Sequence, residues 1–233
     1  MQSPRSLPKN LWRVIELIER VVIKIGGATL FHPDGFKAEL YALSGLYSNA
    51  QVWVIVGGGE LVEAMRTVHR LFPELNEEEM HWRCVELLDH TWSITKEIFP
   101  MGISIASREE LTRTSEQRDI AGLFLVRVQS FYSRESCGLL PSSWQPRSNW
   151  RTTTDSLAWL LGKIIGADRV ILVKQCECDS SLSLARASEL GVIDQELPRL
   201  VDANPGSSPT IEFRWARLRE LFDEVKVNRK ASD

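Results

Sequence analysis

The sequence predicts an α/β protein built on a parallel sheet with helices on both faces, and three observations carry that prediction. Three short runs, VVIKI (21–25), QVWVIV (51–56) and RVILVK (169–174), are apolar almost throughout, as strands covered on both faces must be. The segments between them place apolar residues at helical spacing, so strand and helix alternate. Two of the strands end in glycine, at Gly26-Gly27 and at Gly57-Gly58-Gly59, where a tight turn leads towards the next helix.

Each element follows in order. Leu11, Val14, Ile15 and Ile18 suggest a short amphipathic helix before the first strand, and Phe36, Leu40, Leu43 and Tyr47 predict a helix over 36–47. ELVEAMRTVHRLF begins directly behind the second glycine turn and is amphipathic again. A longer helix is expected over 76–99, with Asn76 as cap, Glu79 completing a capping-box-like pattern, and Pro100 and Gly102 closing it. Residues 107–119 are charge-rich and weakly patterned, LFLVRV (123–128) reads as a strand, and 130–152 as a long loop. TTTDSLAWLLGKIIGA (152–167) returns to helix, with Thr153 or Thr154 as cap and Gly166 at its end. Beyond Gln175 only a Pro/Gly/Ser loop (204–209) and an amphipathic tail around Phe213, Leu218, Leu221 and Phe222 stand out.

The whole chain narrows the function classes. With 43% hydrophobic and 25% charged residues over 233 positions, it has the composition of a globular protein that buries a core without staples. A formal charge of −3 gives no case for nucleic acid. No run approaches the length of a membrane span, and MQSPRSLPKNLWRVIELIER reads neither as a signal peptide nor as an anchor, so a cytoplasmic location is expected. Cys84, Cys137, Cys176 and Cys178 are read as free thiols. The histidines at 32, 69, 81 and 90 show no ligand spacing, and no protein-held metal is expected.

The chemistry-bearing residues cluster on the strand ends. Glycine turns leave backbone N–H groups free to face an anion, and ligands in open α/β sheets sit at the carboxyl ends of strands. There is no GxxxxGK[ST] loop, and Gly57-x-Gly59 runs on to Val62 where a dinucleotide fingerprint needs glycine or alanine. A tight β–α turn without a ligand would also explain either glycine turn alone. Lys24 and Lys174 sharpen the question, because each lies in a strand otherwise made of Val, Ile and Leu. A buried ammonium needs a counter-charge, unless it snorkels out at the strand end. Asp155, in the TTDS turn, could supply that charge to both, or could simply stabilise the first turn of its helix.

Taken in order, VVIKIGGATL, VIVGGGELVEAMR and TTTDSLAWLLGKIIGADRVILVK resemble the amino acid kinase family over roughly residues 21 to 175. The resemblance implies a three-layer αβα sandwich with a mainly parallel central sheet. It also implies one domain over 21–233 behind an extension at 1–20, with the acceptor in the N-terminal half and ATP towards the C-terminal half. By position, Lys24 matches the lysine on the transferring phosphoryl group, and Gly26-Gly27 the first phosphate loop. Gly57-Gly58-Gly59 matches the acceptor-side loop, Asp155 the carboxylate that organises the lysines, and Lys174 a lysine on the nucleotide side. Thr154 falls beside Asp155 on the phosphate-binding turn.

A narrower resemblance is carried by MHWRCVELLDHTW (80–92), LPSSW (140–144) and TTDSLA, which are similar to kinases of the methylofuran pathway in one-carbon cofactor biosynthesis. Those enzymes phosphorylate a furanmethyl phosphate, which implies His81 and Asp89 beside the acceptor pocket. A satisfied histidine on a partly buried helix is the competing reading of His81. Departures stand at Ala28-Thr29, at Gln175-Cys176-Glu177-Cys178-Asp179 after the nucleotide-side strand, and at QPRSNW (145–150), which looks like an insertion. The implied function is transfer of the ATP γ-phosphoryl group to a small-molecule phosphate monoester, with Mg²⁺ bridging the donor phosphates and a homo-oligomeric enzyme. The alternative is a nucleotide-binding sensor or storage protein of the same fold without transfer activity.

Overall fold

The computed structural model describes residues 18–175 and 182–215. The chain runs β1 (Arg20–Ile25), α1 (Pro33–Leu46), β2 (Gln51–Val56), α2 (Glu60–Leu71), α3 (Glu77–Ile98), β3 (Ile103–Ile105), α4 (Arg108–Glu116) and β4 (Gly122–Val126). It continues through α5 (Arg134–Cys137), α6 (Thr154–Ile165), β5 (Arg169–Lys174), α7 (Leu184–Glu189), α8 (Glu196–Asp202) and β6 (Thr210–Trp215). The strands form one sheet in the order β3-β4-β2-β1-β5-β6, and every pair is parallel.

Strand pleating splits the core in two. Val21, Ile23 and Ile25 of β1 face α1, against Phe36, Leu40 and Leu43. Val22 faces the other way with Trp53, Ile55, Val170 and Leu172, against Leu157, Trp159 and Leu161 of α6 and Trp82 and Val85 of α3. Because side chains alternate, Lys24 shares a face with Val22, and Lys174 shares one with Val170 and Leu172. Both lysines therefore emerge on the face that α6 covers.

Topology fixes where a ligand goes. From β1 the chain moves to β2, then to the edge strand β3 and back to β4 beside β2, whereas from β5 it moves the opposite way to β6. The strand order reverses between β1 and β5, and the crevice at their carboxyl ends is the switch point at which open α/β sheets bind ligands. Lys24 and Lys174 stand on either side of it, with Lys24 paired in register to Leu172.

Several expectations need correction. Residues 107–119 contain the helix α4, capped by Ser107, whose hydroxyl accepts the Glu110 N–H at 3.2 Å. Only Leu111 of that helix is buried, which is why the periodicity was faint. The short edge strand β3 was not anticipated, and the strand expected over 123–128 stops at Val126, with Val128 opening a 3₁₀ turn. The loop expected over 130–152 includes α5 and a 3₁₀ turn at Ser142–Trp144. Phe213 lies on β6 rather than in an amphipathic tail. Asn76 does cap α3, accepting the Glu79 N–H at 3.0 Å, but the Glu79 carboxylate turns to Arg134 instead of closing the capping box. The N-terminal helix expected around Leu11, Cys176 and Cys178, and Leu218, Leu221 and Phe222 lie outside the described residues.

Candidate active site

Asp155 stands in the first turn of α6, and its two oxygens meet two ammoniums. Lys24 Nζ lies 3.0 Å from Oδ1 and Lys174 Nζ 2.6 Å from Oδ2, with all three side chains at most 10% exposed. Burial alone would push the Asp155 carboxyl up, but Lys24 and then Lys174 outweigh it and hold it below its ordinary value. Lys174 is pushed down, by burial first and by Lys24 second, against the pull of Asp155. Among the described residues, Asp155 is the carboxylate paired with either lysine. One negative charge thus serves two buried positive ones, and the triad is short of an anion.

The glycine turns stand next to it. A Cβ on Gly27 would sit 2.2 Å from the Gly57 carbonyl oxygen and 2.2 Å from the Gly59 nitrogen, so the two turns pack backbone against backbone. Gly59 also has φ of +53°, which favours glycine. Gly26 is different, since its nearest contact would be the Val173 oxygen at 3.8 Å. Gly27→Ala should therefore cost several kcal/mol, in the range of about 3 to 5 for severe backbone clashes, whereas Gly26→Ala should melt like the wild type. Equal melting temperatures for the two variants would refute this account. Among the described residues, the N–H groups of Gly26, Gly27, Gly58 and Gly59 have no hydrogen-bond acceptor. They are available to a bound anion.

These groups line a cavity of about 380 Å³, together with Thr154, His81 and Arg66. Beyond the glycines the lining combines apolar Val62, Cys84, Val85, Leu88 and Leu157 and the ring of Trp150 with the Glu60 and Glu63 carboxylates of α2. The structure brings together Lys24, Asp155, Lys174, Thr154, both glycine turns and His81. It does not bring Asp89 there: that carboxylate is taken by Arg127, at 2.9 Å from Nε and 2.5 Å from Nη2, and does not line the cavity.

His81 lines the cavity with both ring nitrogens spent. Nδ1 donates to the Asn149 carbonyl at 3.2 Å, which leaves Nε2 to accept from the Tyr132 hydroxyl at 2.9 Å. Burial pushes the imidazole down to about 4 and pushes the Tyr132 hydroxyl up, so the histidine is neutral and the tyrosine protonated at pH 7. The unfolded chain then binds the proton more tightly. The His81 contribution to stability should rise by on the order of 3 kcal/mol between pH 4 and 6.5 and be flat above. Denaturant midpoints of wild type and His81→Gln across that window check this, and parallel curves would contradict it.

Three residues were not picked out from sequence: Asp194, Arg66 and Trp150. Asp194, buried just before α8, accepts six hydrogen bonds. Oδ2 takes the Thr153 N–H and hydroxyl, both at 2.8 Å, and the Ser156 N–H at 3.0 Å. Oδ1 takes the Ser156 hydroxyl at 2.6 Å and the N–H groups of Glu196 and Leu197 at 3.2 and 2.8 Å. It thereby clamps the residues flanking Asp155. Burial, then the nearby Asp155, pushes its carboxyl up.

The architecture, a six-stranded all-parallel sheet flanked by helices, matches the amino acid kinase fold, and the lysine–aspartate–lysine triad and the two glycine turns stand at its switch point. Among solved structures, the chain is similar to the uridylate kinase of Archaeoglobus fulgidus, with 16% identity and a TM-score of 0.52 over 89% of this chain and 95% of that one. It is also similar to the UMP kinase of Ureaplasma parvum, with 13% identity and a TM-score of 0.54 over 80% and 86% of the two chains. No family model and no curated protein matches the sequence.

Proposed function

We propose that the protein is an ATP-dependent phosphotransferase whose acceptor is a small phosphate monoester. The observation that carries this reading is the triad, in which one carboxylate holds two buried ammoniums facing the same cavity as the four glycine N–H groups left without an acceptor. Phosphoryl transfer needs positioning and charge neutralisation more than covalent chemistry, and that is what such a set supplies. Lys24 would bear on the transferring phosphoryl group, Lys174 on the nucleotide side, and the N–H groups of Gly26 and Gly27 on its non-bridging oxygens. Gly57, Gly58 and Gly59 would face the acceptor. An acceptor that is already a phosphate is anionic at neutral pH, so a strong general base is not required.

Both Asp155 oxygens are engaged by ammoniums, so Mg²⁺ fits this site as a passenger on the nucleotide rather than as a protein-held ion. Bound there, it would neutralise charge on the donor phosphates. A furanmethyl phosphate, the acceptor implied by the narrower sequence resemblance, suits the apolar wall of Val62, Val85 and Leu88. Uridine monophosphate is the acceptor to set against it, given the two uridylate kinase folds. ADP release across furanmethyl, aryl, isoprenoid and nucleoside monophosphates tests the proposal. ATP binding without ADP release on any of them would favour the sensor reading instead.

A further inference from the structure

Residues 145 to 152, which include QPRSNW (145–150), are fastened at many points. Gln145 O accepts from Arg199 Nη2 at 2.8 Å, and the Arg147 N–H donates to Glu196 Oε1 at 3.0 Å. Asn149 O accepts from His81, and the Trp150 N–H donates to Glu77 Oε1 at 3.1 Å. The indole is fixed as well. Trp150 Nε1 donates to His69 Nδ1 at 2.6 Å, which puts the His69 proton on Nε2, where the Leu75 carbonyl accepts it at 2.9 Å.

On this clamped ring rests Arg66, its guanidinium 4.6 Å from the ring centroid. Its other fixed contact is Glu63, at 3.3 Å from Nε, and among the described residues its two Nη groups donate to nothing. Arg66, on α2 behind Gly59, and Trp150 both line the cavity, as do Glu60 and Glu63 of the same helix. A guanidinium stacked on an aromatic face, with one edge free, is pre-organised for an anionic oxygen group.

We infer that Trp150 is a positioning residue that holds Arg66 ready for the anionic group of the acceptor, so that the QPRSNW segment sets acceptor affinity without touching the nucleotide. This rests on the proposed phosphotransferase reading for the word acceptor, but its test does not require turnover. Calorimetric binding of phenyl phosphate and of UMP, without ATP, is measured on the full chain and on Trp150→Ala, Trp150→Phe, Arg66→Ala and the Trp150→Ala/Arg66→Ala double variant.

Trp150→Ala should weaken the tighter of the two ligands by about tenfold and leave ATP affinity unchanged. Trp150→Phe, which keeps a ring beneath the guanidinium, should recover most of that loss. In the Arg66→Ala background the Trp150 substitution should cost nothing further, which a merely structural tryptophan would not reproduce. A full tenfold cost in that background overturns the inference, as does an equal loss of ATP affinity or the absence of binding by either ligand. Wild-type protein that shows this coupling but releases no ADP leaves the inference standing and sinks the kinase reading. ADP release with unchanged acceptor KM in Trp150→Ala does the reverse.

Discussion

Asp155→Asn is expected to lower turnover by roughly 10²–10³ at saturating ATP and acceptor, as is Lys24→Ala, the range found when one preorganised charge stabiliser is lost from an active site. The physical reason is the count of charges. Two ammoniums meet a single carboxylate at 3.0 and 2.6 Å, in a site where each side chain is nearly closed to water. Removing the carboxylate charge leaves both cations uncompensated, which is the costly way to break a buried pair. Lys174 is already pushed down by burial and by Lys24, with Asp155 pulling the other way, so the Asn variant should lose its Lys174 proton more readily. The alkaline limb of the pH–rate profile should therefore move to lower pH in Asp155→Asn, a shift that simple misfolding does not produce. The stability sign is also set. The folded Asp155 carboxyl lies below its unfolded value, so its contribution is complete above about pH 4 and is lost as pH falls through the folded value. Unaltered turnover in Lys24→Ala, with ATP and acceptor binding confirmed, would end the catalytic assignment.

What could be read from sequence divides along a physical line. β2 and β5 were legible to the residue, because an apolar run bounded by glycine or by a lysine end has one good place in a parallel sheet. Lys24 and Lys174 were legible as an energetic conflict, since a lysine among Val, Ile and Leu asks for a partner, and the structure places Asp155 between them. β3 was not legible, as three residues at a sheet edge, running from exposed Ile103 to buried Ile105, are too few to carry a pattern. Asp89 misled, since it lies eight residues from His81 on α3, yet only the fold brings Arg127 to it. Trp150 and Asp194 act on residues 81 and 38 positions away, and nothing local marks either pairing. Contacts that depend on closure of the whole domain are written in the sequence only collectively.

Asp194→Ala is expected to damage both stability and catalysis, and the two losses can be separated. The substitution strips acceptors from four backbone N–H groups and two hydroxyls at the starts of α6 and α8. Each buried donor left unpaired costs about 1 to 3 kcal/mol, partly relieved where water enters the vacated space, so a net loss of about 3 to 5 kcal/mol is expected. Catalysis should suffer through Asp155, which lies between Thr153 and Ser156, both held by Asp194. A shift of roughly 1 Å in such a group is enough to cost about 10²-fold in rate. Asp194→Asn keeps one carbonyl oxygen and replaces the other with a donor facing N–H groups, so it can satisfy one helix start but not both. Its turnover should fall between wild type and alanine. Rates measured well below each variant's melting temperature decide the matter. If Asp194→Ala melts early yet turns over like wild type when folded, Asp194 is a structural cap and Asp155 is held by its lysines alone.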